Sequence, residues 1–221
     1  MNEFQLKREK WLKEVVEHCH EYALKTDIDF YCCQTPIIYK PEILIIGLNP
    51  GNNGKYSEYL INNHITKRTI ESLYYSQNLL VESALDWDDG LNQIRKKFKE
   101  IFFSDLLFSK LKNSVMTNFT YFNTISSTEL QSIDIEIKQF CLNKTFELIE
   151  ILQPKNIIIF TSNIVELKKS GVEKIEQVGK YTKIGTLNDK KIIAIPHFSA
   201  RGYNNSEIRN SIGREINEIL R

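Results

Sequence analysis

Ile43-Leu44-Ile45-Ile46-Gly47-Leu48-Asn49-Pro50-Gly51 is an apolar run that breaks abruptly into a small, polar, turn-forming cluster. Aliphatic residues without alternation predict a strand buried on both faces of a parallel sheet. Open sheets of that kind bind ligands beyond the carboxyl ends of their strands. Gly47 and Gly51 admit backbone angles closed to other residues, and Pro50 stiffens the turn. The loop is therefore expected to hold the Asn49 amide at a sheet edge, within reach of a ligand.

Outward from this stretch, helix and strand patterns alternate. Leu12, Val15, Val16, Cys19, Tyr22 and Ala23 fall at helical spacing, which predicts an amphipathic helix over 3–25. Pro36 and Pro41 punctuate the approach to the strand at 42–47. Helical patterns follow near 66–82 and 90–103, the second with Leu91, Ile94, Phe98, Ile101 and Phe102 on one face. A strand is predicted at 113–118, then one long helix that opens on the capping-box spacing of Ser126 and Glu129 and stops at Pro154. Further strands are predicted at 156–161 and 191–196, with a weaker edge strand at 181–187. A last helix carries Ile208, Ile212, Ile216, Ile219 and Leu220 on one side. Such alternation implies an α/β fold of three αβα layers around a central, mostly parallel, four-stranded sheet. There is no internal repeat or linker, so residues 1–221 read as a single domain.

Composition limits the function classes. With 221 residues and 42% hydrophobic content the chain can bury a substantial core. Its 29 basic and 28 acidic side chains nearly cancel, so nucleic-acid binding would need a local basic surface rather than a net field. The charged start Met1-Asn2-Glu3-Phe4-Gln5-Leu6-Lys7-Arg8-Glu9-Lys10 has no apolar signal core, and no uncharged run approaches the roughly 18 residues of a membrane span. A cytoplasmic protein without membrane contact is expected. Cys19, Cys32, Cys33 and Cys141 form no C-x-x-C pair. His18 and His20, two apart on a helix, point about 200° away from one another and cannot share an ion. Reduced structural thiols and no metal are the expectation.

Three of the predicted strands end in polar, turn-prone loops: Gly47-Leu48-Asn49-Pro50-Gly51, Thr117-Asn118-Phe119-Thr120, and Pro196-His197-Phe198-Ser199-Ala200-Arg201-Gly202. In a parallel sheet those ends share an edge, where two amides and an imidazole can converge. Here the chain resembles the uracil-DNA glycosylase superfamily. The first loop is similar to the G-x-N-P-G motif of its mismatch-specific and single-strand-selective branches. Asn118, just after an apolar strand, matches the family's pyrimidine-reading asparagine. His197-Phe198-Ser199-Ala200-Arg201 is similar to the second motif, H-P-S-P-R, at three of five positions. Phe198 and Ala200 stand where that motif has prolines, and the cysteine signature of the iron–sulfur branches is absent.

The resemblance implies a DNA glycosylase that hydrolyses the N-glycosidic bond of uracil or a related damaged or modified pyrimidine, without a cofactor. Its partner is DNA with the target nucleotide flipped out of the duplex, and a monomer is expected. Asn49 would position the attacking water, and His197 would stabilise the leaving base. Gly47, Leu48 and Asn118 would line the base pocket, Asn118 offering a donor to O4 and an acceptor to N3–H. Tyr56, Tyr59 and Phe119 are candidates for the aromatic surface on which the base stacks. Ser199, Arg201, Tyr203 and Lys55 would contact DNA, with Lys67 and Arg68 as further phosphate contacts. Arg95-Lys96-Lys97-Phe98-Lys99, the densest basic run, reads as the solvated side of a helix.

Two alternatives stay within the fold: a non-catalytic nucleic-acid-binding relative, and a glycosylase for bulkier modified bases in foreign DNA. An unrelated doubly wound nucleotide-binding protein is disfavoured, because neither G-x-G-x-x-G nor a P-loop follows a strand.

Overall fold

The computed structural model describes residues 2–51, 54–74, 93–125, 127–198, 200 and 202–220. It is an α/β chain with a six-stranded mixed sheet. The strands are β1 (Ile43–Gly47), β2 (Ser114–Asn118), β3 (Ile157–Ile159), β4 (Glu173–Gln177), β5 (Lys183–Leu187) and β6 (Lys190–Ala194), in the order β2-β1-β3-β6-β5-β4. The described helices are α1 (Glu3–Thr26), α2 (Tyr56–Asn62), α3 (Gln93–Ile101), α4 (Asp105–Lys112), α5 (Ser127–Ser132), α6 (Ile135–Leu152), α7 (Ile164–Lys169) and α8 (Ser206–Ile219). No helix among the described residues is long and apolar enough to cross a membrane.

The chain divides into two compact units. The first comprises Met1–Lys40, Gly47–Ala84 and Val115–Gln153. Its α1 starts on a capping box between Asn2 and Gln5, and its buried stripe is Trp11, Leu12, Val15, Val16, Cys19 and Ala23. Trp11 docks the helix onto α6 by donating its indole N–H to the Lys144 carbonyl at 2.7 Å. The helix predicted to follow β2 without a break is two helices. Asp134 caps a fresh start, accepting from the Glu136 N–H at 2.7 Å, and α6 then runs to Leu152. Glu129 does fold back on the start of α5, accepting from the Ile125 N–H at 2.9 Å. The helical pattern near 66–82 yields only a 3-10 turn at Glu71–Leu73, and residues 75–82 lie outside the described residues. His18 stacks on Phe140 while His20 bonds Tyr56, so the two imidazoles take separate partners. All four cysteines are buried and free, and burial pushes the Cys19 and Cys32 thiols well up.

The second unit comprises Pro41–Ile46, Leu85–Ser114 and Pro154–Arg221. Here β1, β3 and β6 are parallel, pairing Leu44 with Ile157 and Ile157 with Ile192, so their carboxyl ends open on one edge. Every β1 residue is buried, as the unbroken aliphatic run requires. The sheet continues past the predicted four strands through an antiparallel meander, β6-β5-β4. Consequently β5 is interior, and β4 is the edge strand that the sequence did not announce. Its exposed Glu173, Lys174, Glu176 and Gln177 keep charge on that edge and leave no apolar alternation to read. Phe98, Ile101 and Phe102 are buried, as the α3 pattern requires, whereas Leu91 and Ile94 side chains lie outside those described.

Candidate functional site

In the first unit the Gly47–Pro50 loop lies along the segment 118–124. Phe119 and Thr120 N–H groups donate to Gly47 and Leu48 carbonyls at 2.9 Å each, and Thr124 N–H donates to Pro50 at 3.2 Å. This lacing sets the two asparagines. The half-buried Asn49 donates through Nδ2 to the Thr124 carbonyl (2.7 Å), the Thr124 hydroxyl (2.6 Å) and the Pro50 carbonyl (3.0 Å). A flipped amide would set Oδ1 against two carbonyl oxygens, so the bonding pattern fixes the orientation. Among the described residues nothing donates to Oδ1, which is left as the acceptor of the group.

Asn118 is 1% exposed, and its Nδ2 has no hydrogen-bond partner among the described residues. Thr145 fixes its backbone by donating its hydroxyl to the Asn118 carbonyl at 3.1 Å. Gly47 is required beside it: a Cβ built there would stand 2.4 Å from Asn118 Oδ1. The glycine of the first loop thus allows the second asparagine to approach the strand end.

The aromatic candidates divide. Phe119 is 5% exposed and belongs to the core. Tyr56 is buried at 1% exposure. Its hydroxyl bonds His20 Nδ1 at 2.7 Å and accepts from the Arg68 N–H at 3.3 Å, so no face of its ring is open to a base. Tyr59 packs its ring on the Arg68 guanidinium, 3.5 Å from centroid to Cζ. Arg68 itself is not a phosphate contact. It is buried in a forked pair with Asp29, Nη2 lying 2.8 Å from both carboxylate oxygens and Nε 3.1 Å from one. Burial raises the Asp29 pKa, and Arg68 offsets part of that rise. Lys67 pairs with Glu17, while Lys55 is exposed.

His197, Phe198 and Tyr203 belong to the second unit. The exposed His197 ring stacks on Phe198 with centroids 4.5 Å apart and meets Phe160 edge-on at 6.0 Å. Desolvation by this crowding, and secondarily the Lys97 ammonium, lowers the His197 pKa. Both departures from the proline pattern have physical reasons. Phe198 is anchored in a cluster with Phe98 (5.2 Å) and Phe160 (5.5 Å), which restrains the loop by packing instead of by ring closure. Ala200 donates its N–H to the His197 carbonyl at 2.9 Å, a bond proline could not make. Tyr203 continues the turn by donating to Ala200 and sets its ring edge-on to Tyr181. Ser199 and Arg201 lie outside the described residues.

The structure therefore gathers Gly47, Leu48, Asn49, Asn118 and Phe119 into one constellation of the first unit. Sequence reasoning missed Thr124, which orients Asn49 from 75 positions away. The dense mixture of amide, hydroxyl and aromatic residues in Asn118-Phe119-Thr120-Tyr121-Phe122-Asn123-Thr124 was the available signal, because polar groups embedded among rings must find buried partners. Surface depressions of about 330 Å³ (Pro154, Lys191, Ile219) and 400 Å³ (Lys13, His18, Phe140) include none of these residues. Among the described residues no His/Cys/Asp/Glu cluster could hold a metal. No known family's sequence profile matches the chain, and no curated protein does.

Proposed function

We propose that the chain is a DNA glycosylase with a uracil-DNA glycosylase-like αβα fold, removing uracil or a related modified pyrimidine in base-excision repair. The observation that carries this reading is the Asn49 amide, whose three Nδ2 bonds leave Oδ1 as a positioned acceptor on a loop laced to the segment that follows the buried, unbonded Asn118 donor.

Hydrolysis breaks the C1′–N1 bond, gives the bonding pair to the base, and adds a water oxygen to a sugar with oxocarbenium character. Asn49 Oδ1 accepts one water O–H and aims the oxygen at C1′. An amide is too weak a base to deprotonate water earlier, so the proton passes to solvent water only as the C–O bond forms. The departing pyrimidine carries negative charge. Asn118 Nδ2 donates to a base carbonyl.

The direct test is incubation of the folded protein with uracil-containing and otherwise modified oligonucleotides, followed by alkaline cleavage of abasic sites. Strand scission at the modified position is expected. DNA binding with no scission on any substrate would instead establish the non-catalytic reading. The packing of His197 is tested by NMR titration of its ring protons. Its folded pKa lies below the ordinary value near 6.5, so the midpoint should fall below 6.5. A midpoint above 6.5 would contradict the desolvation of the ring by Phe160 and Phe198.

A further inference from the structure

Asn123 is, among the described residues, the one side chain with both a donor and an acceptor buried and unbonded. It is 4% exposed, and its backbone is fixed by an N–H bond of 2.8 Å to the Asp29 carbonyl. Its neighbour in sequence is Thr124, which orients Asn49. Asn118 and Asn123 thus stand near opposite ends of the segment laced to the Gly47–Pro50 loop.

One face of this amide meets Gly54. A Cβ built there would lie 3.5 Å from Asn123 Nδ2 and 3.5 Å from Asp29 Oδ2, ordinary contact distances, so glycine leaves more room beside the amide than any other residue would. An unbonded buried amide is costly on both ends, and an aliphatic residue of the same size would fill the space without that cost. A bound group offering both an acceptor and a donor would satisfy it. The nearby Asp29 carboxylate disfavours a phosphate, and Arg68 already neutralises that carboxylate, which removes the attraction for a cation. A neutral group that both donates and accepts is what remains.

On the segment 118–124, Asn118 Nδ2 and Asn123 Nδ2 are two buried unbonded donors, and Asn123 Oδ1 is one buried unbonded acceptor. The Watson–Crick edge of uracil, carbonyl–imide N–H–carbonyl, requires two donors flanking one acceptor. We propose that Asn123 is a second pyrimidine-reading carboxamide, taking the imide N–H and one carbonyl while Asn118 donates to the other carbonyl. This inference rests on the glycosylase reading and adds a specificity-determining residue to it.

Two measurements on the full chain test it. In the first, side-chain amide resonances, assigned through Asn118→Asp and Asn123→Asp, are followed during titration with 1-methyluracil or 3-methyluracil. The Asn123 signal should shift with 1-methyluracil, which keeps the imide N–H, and stay still with 3-methyluracil, which lacks it. An Asn118 shift without an Asn123 shift overturns the inference and leaves the glycosylase reading standing. Silence of both signals, or equal shifts with both isomers, also overturns it. In the second, Asn123→Leu is compared with wild type for thermal midpoint and for uracil excision. It should fold with an unchanged or higher midpoint and lose about 100-fold or more in kcat/KM, because a site built for hydrogen bonds is left with carbon. Gly54→Ala, which sets a methyl over the same amide, should lower kcat/KM in the same direction. Asn123→Leu with wild-type kcat/KM would make the amide merely structural.

Discussion

Asn49→Ala is expected to lower uracil excision by about two orders of magnitude while changing DNA affinity less than about twofold. The side chain has one acceptor to offer, and its donor end is committed to Thr124 and Pro50. Alanine keeps the loop's backbone bonds from Phe119, Thr120 and Thr124 but removes the atom proposed to aim the water. Loss should therefore appear in kcat under single-turnover conditions, with binding measured separately by fluorescence anisotropy. Asn49→Asp should not restore the rate despite its stronger base. An Asp oxygen in the Nδ2 position would face the Thr124 and Pro50 carbonyls, so the carboxylate would turn away from its station. Turnover by Asn49→Ala equal to wild type would remove Asn49 from the reaction.

Arg68→Ala is expected to destabilise the folded chain by about 3–5 kcal/mol, the cost of leaving a buried carboxylate without its partner. The Asp29 and Arg68 side chains are 9% and 4% exposed, so solvent cannot replace the lost charge. Arg68 also bonds the Ser72 carbonyl and lies under the Tyr59 ring, so several groups lose partners together. Removing both charges in Asp29→Asn/Arg68→Met should recover much of the loss, because no charge then remains buried alone. Urea denaturation of the two single variants and the double variant gives the coupling directly. A single-variant change below about 0.5 kcal/mol would mean that the pair is solvated in solution.

Much of the strand framework could be read from local pattern, and the reason is physical. Residues 43–47, 157–159 and 192–194 are buried segments of parallel strands, whose apolar runs need no distant information. The β4–β5 meander was harder, because an edge strand with exposed charges carries no hydrophobic alternation. The break at Asp134 was masked by helical periodicity on either side of it. In the site, the local motif around Asn49 and the strand-end position of Asn118 were visible. What orients or occupies them was not. Thr124 on Asn49, Arg68 on Tyr59 and Asp29, and Phe198 in its ring cluster are contacts between residues far apart in the chain. Arg68 shows the difference most clearly: its place with Lys55 and Lys67 downstream of the first loop suggests a phosphate contact, and only the fold reveals a carboxylate waiting for it.

Water delivery by Asn49 to a glycosidic carbon can be tested by mass-spectrometric quantification of free base and abasic strand after wild-type protein acts on a uracil-containing oligonucleotide in water enriched with ¹⁸O. Equal amounts of unlabelled uracil and of an abasic strand carrying one ¹⁸O at C1′ are expected, both falling about 100-fold in Asn49→Ala. No free base, or equal release by wild type and Asn49→Ala, would contradict it.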